Sequence, residues 1–176
     1  MRNLFDIKRL MYNNSEDLYF ITYNIILLLY HLHCKSEKKQ FKDYRKLAFL
    51  IPIISDEKKT RILIDYYKGK VTPNNNIHKE LNRIYYDSIE NIILIRYVLV
   101  IMERKGIINL VADTNKTNLF INDIEEFELF AEDKRFNTEK QRILAIKKNI
   151  NSLSRLNYMT FVNEFFKRNG VAIWEN

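Results

Sequence analysis

Only three glycines and two prolines occur in 176 residues, and this scarcity constrains the fold more than any other feature. β-Sandwiches and barrels need turn residues roughly every ten positions, so the chain reads as mainly α. An apolar fraction of 47%, with 13% aromatic, excludes disorder as the main state and supplies the side chains of a real core. The length favours one compact unit with an appended segment over two full domains.

Helix signals recur along the chain. Ser15, Glu16 and Asp17 place a cap oxygen and acids ahead of the apolar run LYFITYNIILLLYHLHC, residues 18 to 34, which predicts a long central helix. Phe41, Tyr44, Leu47, Ala48 and Ile51 recur at steps of three and four up to Pro52, predicting a short second helix that stops near the proline. Ser55 or Asp56 caps a third, with Gly69 just past its end, and VTPNNN at 71 to 76 reads as a loop. Ile77, Leu81, Ile84 and Tyr85 continue helical spacing, followed by IENIILIRYVLVIMERKG. Arg104 and Lys105 complement the negative end of that helix, and Gly106 is free to take the left-handed conformation that ends it.

IINLVA at 107 to 112 and NLFIN at 118 to 122 read as strands joined by the turn DTNKT. Helices followed by a two-stranded hairpin give the order of a winged helix over residues 40 to 122. We therefore divide the chain into a helical, winged-helix-like domain at 1–122 and a helical C-terminal extension at 123–176. In the extension, Thr138 and Gln141 have capping-box spacing for a helix through Lys148, and MTFVNEFFKRNG is a last helix ending at Gly170.

The apolar run at 18 to 34 falls short of the roughly 20 residues needed to span a bilayer and contains Thr22, Asn24, His31 and His33. The N-terminus MRNLFDIKRLMY is too interrupted by charge for a secretory signal, and a single cysteine, Cys34, fits a reducing compartment. A cytoplasmic protein with no membrane contact is the expectation.

Net charge is +7, and its placement is uneven. Residues 35 to 70 hold eleven bases against five acids, residues 123 to 133 hold six acids and no base, and residues 134 to 148 hold six bases against one acid. Adjoining blocks of opposite sign suit partner docking or solvated helix faces equally.

Catalytic chemistry finds little support. His31, His33 and Cys34 carry metal-ligating atoms, but on a helix only 31 and 34 share a face, and a further ligand would have to come from His78 or a carboxylate. Asp43, Glu57 and Lys59 imitate a nuclease acid and Glu-x-Lys pattern, although SDEKKTR reads as a helix start and not as a buried strand. No glycine-rich phosphate loop, Gly-x-Ser-x-Gly elbow or His-Glu-x-x-His helix occurs. We expect a non-enzyme with no cofactor, metal or small-molecule substrate.

Nucleic-acid binding is the serious alternative, since a basic winged helix commonly sets its third helix in the major groove. Lys35, Lys38, Lys39, Lys42, Arg45, Lys46, Lys58, Lys59 and Arg61 are the candidate phosphate contacts. The helix before the hairpin argues against base reading. It is apolar on nearly every face, leaving mainly Glu90, Asn91, Arg96 and Glu103 to Lys105 for solvent, and the wing has one base, Lys116. An interior helix and a nearly neutral wing favour protein contact, with Asp123, Glu125, Glu126, Glu128, Glu132, Asp133 and Trp174 as candidate partner contacts.

The segments YNIILLLYHL, FKDYRKLAFLIPIIS and MERKGIINLV, followed by a helical C-terminal extension, resemble the middle components of ABC three-component, Lamassu-type anti-phage systems. Members of that family are small winged-helix-like subunits encoded between an effector, often a nuclease, and an SMC-like ATPase. The resemblance implies an accessory subunit bridging ATPase and effector, with non-specific DNA contact open and no catalytic residue of its own. The competing class is a stand-alone winged-helix DNA-binding regulator. A small metal-dependent enzyme is a third.

Overall fold

The structure is a computed structural model that describes residues 17–122 and 125–174. Its order is α1 (Leu18–His31), α2 (Leu47–Ile54), α3 (Glu57–Tyr66), α4 (Asn75–Glu90), α5 (Ile92–Arg104), β1 (Ile108–Asp113), β2 (Lys116–Ile121), α6 (Glu125–Ala131), α7 (Asn137–Asn149) and α8 (Tyr158–Phe165). The chain is thus mainly helical, with one antiparallel hairpin and C-terminal helices. No helix among the described residues is long and apolar enough to cross a membrane.

Asp17 caps α1 by accepting from the Tyr19 and Phe20 amides; Ser15 and Glu16 lie outside the described residues. The helix stops at His31, three residues before the expected end at Cys34. His33 takes a left-handed φ of 60°, its amide bonds Tyr30 O, and the Cys34 amide bonds Leu29 O. This pair of bonds is the Schellman closure that glycine usually provides. Gly106 makes the same closure after α5, with its own amide on Glu103 O and the Ile107 amide on Met102 O, as the sequence predicts.

Phe41 does not enter the second helix. It forms an antiparallel bridge with Leu119, adding a third edge to the hairpin, and α2 is instead entered through a 3-10 turn at Tyr44–Lys46. Pro52 sits inside α2, which continues to Ile54. Asp56 caps α3 through the Lys59 amide, and Asn74 caps α4 through the Ile77 amide, so the loop expected at 71 to 76 ends sooner. The hairpin is longer than expected, pairing Ile108 with Ile121 through Asp113 with Lys116 around a two-residue turn. The capping box of Thr138 and Gln141 does not form; α7 grows from a 3-10 turn at Lys134–Phe136 capped by Asp133.

One apolar core runs through both segments of the chain. Phe49 of α2 meets the rings of Tyr85, Tyr158, Phe161 and Phe166, which brings α4 and α8 onto the same centre. Burial of these aromatic side chains contributes on the order of 2 to 3 kcal/mol each.

Candidate functional site

A polar hub sits against the hairpin at Asn118. Asp43, buried at a left-handed φ of 57°, accepts two bonds from the Arg45 guanidinium at 2.9 and 2.7 Å and one from the Tyr158 amide at 3.3 Å. Its own amide donates to Asn118 Oδ1 at 3.0 Å. Lys46 is completely buried, with Nζ donating to Leu153 O at 2.6 Å and lying 4.3 Å from the Phe41 ring centroid. Burial pulls its ammonium down to about 7, against the opposing pull of Asp43.

These contacts sort the nine basic candidates. Lys46 is removed from the phosphate-binding set, because its head group lies inside the protein, and Arg45 is committed to Asp43. On α3, Lys58 faces Glu80 at 3.7 Å and Arg61 pairs with Glu57. Lys59 is half-buried at the rim of a concavity of about 550 Å3 whose floor includes Ile51, Ile84 and Ile95. Lys42 is half-buried beside the hairpin, and its field helps hold the Asp113 carboxyl below its usual range, after the bonds from Lys116 and Asn118.

The remaining three, Lys35, Lys38 and Lys39, lie in the loop after α1. Ser36 and Lys39 bridge to make a tight turn, Lys38 and Lys39 are exposed, and Lys35 Nζ stands 4.0 Å from the Tyr30 ring centroid. Lys147 of α7 joins them, donating to His31 O at 3.1 Å. The exposed His33 imidazole is held below its ordinary value by partial burial first, then by Lys147, Lys35 and Lys39 in turn. Sequence spacing missed Lys147, which is distant in the chain and enters only through the packing of α7 on α1.

Of the acidic candidates, Asp123 lies outside the described residues. Glu125, Glu126 and Glu128 project from α6 into solvent, while Phe127 and Phe130 of the same helix pack on the core. Glu132 and Asp133 are engaged, by Lys140 and by Arg135 at 2.9 Å respectively. The Arg135 guanidinium pulls the Asp133 carboxyl down to about 2. Trp174 is 61% exposed, but its amide donates to Tyr85 Oη at 2.9 Å and its ring stands edge-on to Tyr86 at 6.3 Å.

α5 corrects the expectation of a helix buried on nearly every face. Ile95, Val98, Leu99 and Met102 are interior, yet Ile93 is 82% and Tyr97 58% exposed. They are four residues apart and therefore share a face, with Arg96 exposed beside them.

His31 and Cys34 are buried, and burial pushes the Cys34 thiol up to about 12. His78 is occupied elsewhere, its Nε2 lying 3.1 Å from Gly170 O. No group of three or more potential ligands that could hold a metal occurs among the described residues. Asp43, Glu57 and Lys59 serve the hub, an ion pair with Arg61 and the first turn of α3 respectively, so the nuclease-like spacing does not translate into a shared centre. No family model, no curated protein and no solved structure matches this chain.

Proposed function

We propose that the chain is a non-catalytic adaptor subunit that joins an SMC-like ABC ATPase to an effector subunit in an anti-phage defence complex. The protein-contact part of this reading is carried by one observation: Ile93 and Tyr97 stand outward on α5 at 82% and 58% exposure. An apolar pair of this kind suits a protein surface, since aromatic and aliphatic anchors dominate interface energy. Trp174 beside Tyr86, and the carboxylates of α6, offer a second anchor and an electrostatic steering surface. The identity of the partners rests on the sequence resemblance to Lamassu-type middle components. The subunit would act by position, holding the effector against the ATPase until DNA engagement changes their geometry.

Co-expression with the ATPase and effector that the reading expects to be encoded beside its gene is the test. A stable three-part complex on size exclusion, lost with Ile93→Ser/Tyr97→Ser while the variant keeps its melting temperature, is the expected result. Absence of co-elution for the wild-type chain, or an isolated gene next to an operator-like palindrome, would overturn it.

A further inference from the structure

Beyond α8, Gly170 at a φ of 81° turns the chain onto α4, and three side chains of that helix take hold of it. His78 Nε2 lies 3.1 Å from Gly170 O, Tyr86 Oη donates to Ala172 O at 3.3 Å, and the Trp174 amide donates to Tyr85 Oη at 2.9 Å. Asn82 Nδ2 bonds both His78 O and His78 Nδ1, which leaves the imidazole proton on Nε2, facing the Gly170 carbonyl. Positions 85 and 86 lie seven and eight residues beyond 78, so the three side chains form one stripe of the helix.

The bonds fall on every second residue of the segment, and burial alternates with the same period. Val171 is buried and Ile173 half-buried against the core, whereas Ala172 and Trp174 are exposed. This is the two-residue repeat of an extended chain. Among the described residues, the main chain after Val171 is held only by the two tyrosine hydroxyls. All three bonds from α4 go to main-chain atoms, which every polypeptide carries. Only the two aliphatic side chains, and the Trp174 ring edge-on to Tyr86, depend on the sequence of the occupant.

We propose that the stripe of His78, Tyr85 and Tyr86 is a docking groove for an extended peptide of a partner protein, occupied here by the chain's own residues 170 to 174. The own segment shows the chemistry the groove accepts: two aliphatic side chains two residues apart, then an aromatic one. Few buried contacts and exposed hydrogen bonds place such a segment at the low end of local stability, so a partner segment of this pattern displaces it. Self-occupancy lowers the partner's apparent affinity by the fraction of time the groove stands open. The inference is independent of the adaptor reading, which is tested at α5.

The test is fluorescence anisotropy of a fluorescein-labelled peptide with the sequence of residues 170 to 176, titrated with the full chain. Wild type should bind it weakly, because the tethered segment competes at an effective concentration of about 1 mM. Ile173→Ser/Trp174→Ala loosens that segment and should tighten binding at least ~10-fold. If Ile173→Ser lowers the melting temperature, Trp174→Ala alone should still give a gain. Adding Tyr86→Phe to either variant should weaken binding about 2- to 10-fold through one lost hydrogen bond, and a peptide with serine in place of both aliphatic residues should not bind. Equal affinity in wild type and the loosened variants, indifference to Tyr86→Phe, or equal uptake of the serine peptide would each refute the groove. Dimers that form with rising concentration, with no uptake of peptide, would assign it to the segment of a second copy and defeat the proposal as well.

Discussion

Helices α2 and α5 are both written almost entirely in apolar letters, LAFLIPII and IILIRYVLVIMER, yet they end in different surroundings. Seven of the eight residues of α2 are buried, and only Pro52 is partly open. α5 buries the stripe Ile95, Val98, Leu99 and Met102 and leaves Ile93 and Tyr97 in solvent. α2 is ringed by α1, α3, α4, α5 and α7, whereas α5 lies at the margin against α1, α2, α4 and β1. Hydrophobicity alone therefore says that a helix wants cover; the number of neighbours says whether this chain provides it.

The contrast breaks most visibly at Phe49, the centre of α2. Phe49→Ala should cost about 3 to 5 kcal/mol, because its ring touches four others and its site cannot collapse fully. Chemical denaturation checks this, and a loss below ~1 kcal/mol would mean that α2 is not the core helix.

Lys46, at the entry to α2, sharpens the comparison through pH. Its ordinary value is 10.5 and burial lowers it to about 7 in the fold, so between those values the unfolded chain binds the extra proton. Stability should therefore rise with pH across that window, the buried charge costing most below about 7 and nothing above 10.5. Lys46→Met should remove this rise and match or exceed the wild type by about 1 to 3 kcal/mol at neutral pH. Denaturant midpoints read at pH values across the window decide it, and a slope that survives the substitution would assign the effect to another group.

Gly106 ends α5 at a φ of 70° with open space where a Cβ would stand. Gly106→Ala should cost about 1 kcal/mol through backbone strain without a clash, visible as a lower melting temperature. The smallest expected effect on stability is at the outward face of α5. Ile93→Ser/Tyr97→Ser should stay within about 0.5 kcal/mol of wild type, and a much larger loss would show that these side chains support the fold and would remove them as a partner surface.

Local chemistry made much of the architecture legible. Asp56 as a cap, Gly106 as a stop and a two-stranded hairpin after it are signals carried by neighbours in sequence, and each forms, the hairpin with a tighter turn than expected. The errors came where a distant residue, or a competing closure close by, overrode the preference read from spacing. His33 closes α1 although a glycine would do so more easily, Phe41 leaves its helical pattern to pair with Leu119, and the Thr138 capping box yields to a turn capped by Asp133.

The candidate surfaces divide in the same way. The chain's order of residues determined a mainly helical protein with a hairpin, its helix stops and its blocks of charge, because propensity, capping and periodicity act over a few residues. Tertiary structure decided which charges remain for a partner: it drew Lys46 inside, set Lys58 against Glu80, and carried Lys147 to the His31 carbonyl beside the loop. It also left one face of α5 uncovered. Burial and ion pairing depend on groups brought together from far apart in the chain, so no local pattern could have assigned them.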